Sequence, residues 1–167
     1  MQFVDDLTLR LYRENDREIL EDLLYEAIFQ PEGCELLPRD IISRPDLSVY
    51  IQDFGEKADD HCLLAQMDDE IIGGVWTRIL SDNIKGYGNI DACTPEFSIA
   101  VLRKYRNKGV GTVLMREMID LLANRGYAQA SLSVDKENYA IHIYKKLGFK
   151  VFRENIHDYI MLLKLTK

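Results

Sequence analysis

Between Phe97 and Gly126 the hydrophobic period of the chain changes once, across a loop of bare backbone and cations. The apolar run "FSIAVL" has the length and composition of a buried strand. The "RKYRNKGVG" that follows is polar and broken by Gly109 and Gly111. Beyond it Val110, Leu114, Met118 and Leu121 recur at helical spacing until Gly126 stops the pattern. A strand, a glycine turn and a helix start together make an anion site: the first helical N–H groups have no intrahelical partner, and the positive end of the helix dipole faces the ligand. Glycine lets the backbone approach that ligand closely.

Charge sharpens the expectation. The chain of 167 residues carries a net −7, and −11 once the four cations of residues 103–108 are set aside. An acidic protein of this kind is not expected to bind nucleic acid or an anionic membrane surface. A basic island within it points to one local anionic ligand, with a solvated charged turn as the plainer alternative. Apolar residues make up 47% and charged residues 29%, a globular balance. No run is long enough for a membrane span, and the charged opening "MQFVDDLTLRLYRENDRE" cannot form the apolar core of a secretory signal. Cys34, Cys62 and Cys93 have no paired spacing, which speaks against a disulfide framework or a zinc site and fits a cytoplasmic location.

The rest of the chain reads as alternating strands and helices. Strands are predicted at Leu7–Tyr12, at "HCLLAQM" and "EIIGGVWTRIL" around the turn "DD", at "EFSIAVL", at "YAQASLSV", at "FKVFRE" and at "DYIMLLKL". Helices are predicted at "DREILEDLLYEAIF" with Asp16 as N-cap, at "PRDIIS" and "PDLSVYIQDF" behind prolines, and at "ENYAIHIYKKL" before Gly148. "NIKGYGNIDACTP" is a loop. With no internal repeat or linker, the economical reading is one mixed α/β domain over residues 1–167.

Two familiar phosphate loops fail the test of residue identity. A Walker A loop ends in Gly-Lys-Ser/Thr, whereas this one reads Gly109-Val110-Gly111-Thr112; a dinucleotide fingerprint needs glycine where Leu114 stands. What remains is Arg106-x-x-Gly109-x-Gly111, followed after a helix and a strand by "NYAIHIYKKLGF". Together these segments resemble the GNAT superfamily of acyl-CoA N-acyltransferases. Arg106, Gly109 and Gly111 match its R/Q-x-x-G-x-G/A loop. Asn138, Ala140, Tyr144, Gly148 and Phe149 match its Asn-x-Ala-x-x-x-Tyr-x-x-x-Gly-Phe signature. The resemblance is close over roughly residues 96–152.

It implies an α/β fold with a mostly antiparallel sheet, helices on both faces, and strands splayed between the fourth and fifth. Acetyl-CoA would lie in the gap as cosubstrate, its pyrophosphate held by Arg106, Asn107, Lys108, Gly109, Val110, Gly111 and Thr112. The backbone of Ile99, Ala100 and Val101 would meet the pantetheine arm and the acetyl carbonyl. No metal is implied. The implied partner is a primary amine on a small molecule or peptide, and the chain would be a monomer or homodimer.

Attack of a neutral amine on a thioester needs a base for the amine and a proton for the leaving thiolate. Tyr144 is the candidate acid; Ala140, Tyr144 and Leu147 fall on one helical stripe facing the sheet, so a packed core tyrosine is the alternative. Asn138 is an N-cap, a cosubstrate contact, or both. Glu96 opens the fourth strand, where the family often places a carboxylate. It is either the base, with a pKa raised by burial, or a surface residue at a strand edge. Relatives that acetylate the N-terminus of a ribosomal protein carry glutamate at the place of Ser133, a departure that speaks against that substrate. Trp76 and Arg78 share one face of a strand and either line an acceptor site or serve core packing and a surface ion pair. His142 is expected to face solvent, and His61 and His157 have no partner visible in sequence. The other readings are a non-catalytic acetyl-CoA-binding regulatory domain and a plain nucleotide- or phosphate-binding module.

Overall fold

The computed structural model describes residues 2–166. Its elements in order are α1 (Gln2–Asp5), β1 (Thr8–Leu11), α2 (Arg17–Ala27), α3 (Pro45–Ser48), β2 (His61–Met67), β3 (Glu70–Arg78), β4 (Glu96–Val101), α4 (Val110–Asn124), β5 (Gln129–Asp135), α5 (Ile141–Lys146), β6 (Lys150–Glu154) and β7 (Asp158–Lys164). The seven strands form one sheet in the order β1-β2-β3-β4-β5-β7-β6. Every pairing is antiparallel except β4 with β5. The expected mixed, mostly antiparallel α/β sheet is what the chain forms.

Period-two alternation divides the core. Leu63 and Ala65 of β2, Val75 of β3 and Phe97 of β4 pack on one face beneath α4, with Leu114, Met115, Met118 and Leu122. Cys62 and Leu64, Trp76 and Ala100 point to the other face and meet Leu20, Leu23 and Leu24 of α2. Helices therefore cover both faces, and neighbouring residues of β4 look into different cores. The β2–β3 hairpin closes through Asp68 and Asp69, both at positive φ (48° and 65°), a turn that aspartate tolerates.

Several local expectations change. Asp16 does not cap α2: its carboxylate takes the Arg13 N–H at 2.7 Å and both Arg10 guanidinium nitrogens at 2.8 Å. The stronger cationic partner wins, and Asp16 closes the turn ahead of the helix. The stretch "PDLSVYIQDF" is helical only over Pro45–Ser48 and continues as turns. α5 is shorter than its pattern, because residues 136–140 form a turn before Ile141. The helical turn α1, masked in sequence by mixed charge, sets Val4 and Phe3 against the 105–109 loop.

Candidate active site

β4 and β5 pair at a single register, Glu96 with Ser131, where the Ser131 N–H donates to the Pro95 carbonyl at 2.9 Å. Beyond it they separate. Alternation along β4 turns the N–H and C=O of Phe97, Ile99 and Val101 towards β5 and those of Ala100 towards β3, the same side on which Leu102 donates to Ile72. The Val101 carbonyl already accepts the Arg106 Nε at 2.8 Å. Of the Ile99–Val101 backbone, Ile99 is thus the residue with both polar groups open to the gap. Two adjoining clefts of about 1060 and 790 Å3 meet there, sharing Ile28, Phe29, Ile99, Met115, Asn138 and Tyr144 in their walls.

The smaller cleft runs over the glycine loop. Asn107 and Gly109 both take positive φ (61° and 88°), and Gly109 is the N-cap of α4. The first-turn N–H groups of Val110, Gly111 and Thr112 keep no intrahelical partner, glycine has no side chain to cap them, and the three residues line the cleft. That donor set suits a phosphate-bearing group such as coenzyme A.

The basic island is less free than its sequence implies. Glu26, at the end of α2, meets Arg106 at 3.2 Å and Arg103 at 3.7 Å, and Glu70 meets Lys104 at 3.2 Å. Lys108 sits over the Phe3 ring at 4.8 Å and is not part of the cleft wall. Acids distant in sequence have come up against three of the four cations.

The larger cleft holds Glu96. The side chain is 3% exposed, which removes the surface reading. Its Oε2 accepts from the Tyr50 hydroxyl at 2.5 Å and from the Gly88 N–H at 3.0 Å, while Oε1 is enclosed with no partner among the described residues. Burial pushes the carboxyl up to about 7 against the opposing pull of those two hydrogen bonds. Nearby Ser133 donates to Asp158 at 2.6 Å, and Lys136 pairs with Glu154 at 2.8 Å. Asp135 and His157 also line this cleft.

Tyr144 reaches the gap from the opposite face. It belongs to the core under α4, lies 6.1 Å from the Phe149 ring in an edge contact, and lines both clefts. Its hydroxyl has no hydrogen-bond partner among the described residues, and burial raises its pKa to about 12. Asn138 does not cap α5. Its Oδ1 accepts from Ala140 N–H at 3.0 Å within the preceding turn, and the residue lines the wall that the two clefts share.

Trp76 and Arg78 stay out of the clefts. Trp76 is fully buried and donates to the Tyr50 carbonyl at 3.2 Å. Arg78 forms a buried bidentate pair with Asp60 at 2.9 and 3.0 Å, and binds the carbonyls of Val49 and Gln52. The pair is internal, not a surface one. His142 is exposed as expected, whereas His61 gains a partner in the Tyr127 hydroxyl at 3.0 Å. Sequence reasoning missed Tyr50, Gly86 and Gly88; the spaced glycines of "KGYGN" were the available sign of a close approach.

A sequence model of the acetyltransferase (GNAT) family matches residues 18–149. An N-alpha-acetyltransferase of Sulfurisphaera tokodaii is 32% identical over 103 residues, 58% of this chain and 60% of that protein. The spermidine N(1)-acetyltransferase of Escherichia coli K12 is 38% identical over 68 residues, 40% of this chain and 37% of that one. The crystal structure of the PaiA N-acetyltransferase of Thermoplasma acidophilum in complex with coenzyme A aligns with a TM-score of 0.69 at 22% identity, covering 95% of this chain and 98% of the other.

Proposed function

The chain belongs to the GNAT family of acetyltransferases, and from that premise we propose that it moves the acetyl group of acetyl-CoA directly to a primary amine of a small molecule or peptide within a ternary complex. The observation that carries this reading is the gap between β4 and β5. Tyr144 enters it from one face and Glu96 from the other, beside a helix start with free N–H groups.

In the reaction the amine nitrogen bonds to the thioester carbonyl carbon and the carbon–sulfur bond breaks. Glu96, as carboxylate, takes the proton the amine sheds, directly or through a water. Tyr144 gives its phenolic proton to the departing thiolate, and its raised pKa keeps that proton in place at neutrality. The Ile99 N–H offers a hydrogen bond to the carbonyl oxygen as charge develops there. Asp135, Glu154 and Asp158 outnumber Lys136 along the larger cleft and favour a cationic acceptor. Relatives named for protein N-termini and for spermidine make both classes the first to try.

The test is a panel of peptide N-termini and polyamines incubated with acetyl-CoA, following thiol release and product mass. Acetylated amine with stoichiometric thiol is the expected result. Binding of acetyl-CoA with no transfer to any amine would overturn the reading in favour of a non-catalytic domain. A base with a pKa of about 7 works only when deprotonated, so kcat/KM should fall as pH drops through that value. Glu96→Gln should lower kcat/KM and abolish that limb. Wild-type rate and profile in this variant would assign the proton to solvent or substrate.

A further inference from the structure

Glu96 is not simply buried; it is gripped, and only on one of its oxygens. Tyr50 and Gly88 both donate to Oε2, and the Tyr50 oxygen in turn accepts the Tyr87 N–H at 2.7 Å. Oε1 lies against Gly86, where an added Cβ would stand 2.0 Å from it. Gly88 is equally constrained, since a Cβ there would come within 2.8 Å of the Leu132 carbonyl carbon and the Ser133 nitrogen. Its carbonyl accepts from Ser131 Oγ at 2.7 Å. The Gly86–Gly88 loop thus links β4 to β5 at the pivot where their ladder ends, and closes over the carboxylate.

We propose that Tyr50 is a positioning residue of the acetyl transfer: with the Gly86–Gly88 loop it fixes the orientation of the Glu96 carboxylate that takes the amine's proton. The inference rests on the reading of Glu96 as the base. Two donors hold Oε2 in the charged form, and the enclosed Oε1 has no donor among the described residues that could turn the group. The segment carrying Tyr50 is itself held through its carbonyls, by Trp76 at Tyr50 and by Arg78 at Val49 and Gln52.

Other groups near the carboxylate are committed elsewhere. Arg78 is the cross-strand neighbour of Glu96 on β3, yet its guanidinium is spent on Asp60. Ser131, its partner on β5, is neutral and bonded to Gly88. Tyr87 turns its hydroxyl to Asp46. The Tyr50 hydroxyl is therefore the one side-chain hydrogen bond that Glu96 has among the described residues. Removing it takes away a donor to the charged form and leaves the burial.

The experiment follows the Glu96 carboxyl directly by carbon NMR in protein labelled at glutamate, with Glu96→Gln to assign the signal. It is run beside the pH profile of kcat/KM. Tyr50→Phe should raise the Glu96 pKa by about one to two units and move the acidic limb of kcat/KM upward equally, with coenzyme A affinity unchanged. A merely structural tyrosine would lower kcat without moving either midpoint, and an unmoved Glu96 titration overturns the proposal. A carboxyl that shifts while the activity profile stays still supports the grip on Glu96 and defeats its role as base. Gly86→Ala provides a second arm should Tyr50→Phe not fold. Its methyl group should displace Oε1 into solvent, lower the Glu96 pKa and depress kcat across the pH range; unchanged titration and rate in that variant also overturn the proposal.

Discussion

The loop from Arg106 to Thr112 and the pocket around Glu96 flank the same gap, but they are assembled differently. The first is a continuous run of residues whose useful groups are backbone N–H at the start of α4. The second draws Tyr50, Gly86, Gly88, Glu96 and Ser131 from four separate stretches, and its central group is a side chain, the Glu96 carboxylate, held by the Tyr50 hydroxyl and the Gly88 N–H. A site made of backbone survives exchange of most side chains and fails when its glycines change. A site made of side chains depends on whatever holds each one, and here that includes the buried Arg78–Asp60 pair beneath the Tyr50 segment.

The contrast can be broken most severely at Tyr144, which serves both halves. Tyr144→Phe keeps the ring in the core and removes only the hydroxyl with its proton, so kcat should fall by about 10²–10⁴-fold while coenzyme A affinity holds in calorimetry. Turnover within a small factor of wild type would reduce Tyr144 to packing. Next is Gly109→Asp, which places a side chain and a negative charge at a residue with φ of 88° and beside the expected phosphates. Coenzyme A binding should weaken by about 100-fold or more in a protein with unchanged circular dichroism; retained affinity would move the phosphates elsewhere.

Arg78→Ala acts on the other half through stability. It leaves Asp60 buried without its partner, and urea denaturation should show a loss of about 3–5 kcal/mol. In the remaining folded protein, kcat should drop more than coenzyme A affinity, because Tyr50 loses its support and the glycine loop does not. Equal losses in both would erase the distinction between the halves. The smallest effect is at Glu26. Replacing it by Gln frees Arg103 and Arg106 from a carboxylate they share at the cleft edge, and coenzyme A should bind about two- to five-fold tighter at low salt. A weaker affinity would mean that Glu26 aims Arg106 and does not compete for it.

Legibility followed the same division. The strands, α4 and the glycine loop stand near their predicted places, because period, glycine and cation spacing are local properties. Glu96 was visible as a residue at the head of a strand. Its burial was not, since the cover comes from Tyr50 and a loop read only as irregular. The basic island misled for the mirror reason: its cations are adjacent in sequence, whereas Glu26 and Glu70 reach them only through the fold.

What the chain determined by itself is thus the order of elements, the family, and the glycine-broken turn that opens α4, all of which depend on interactions within a few residues. Tertiary structure alone decided the burial of Glu96, the hydrogen bonds that hold it, and its place with Tyr144 on the wall of one cleft. Those depend on desolvation and on hydrogen bonds between residues 46 and 8 positions apart. Neither quantity exists until β4 and β5 separate and the loop closes over the carboxylate.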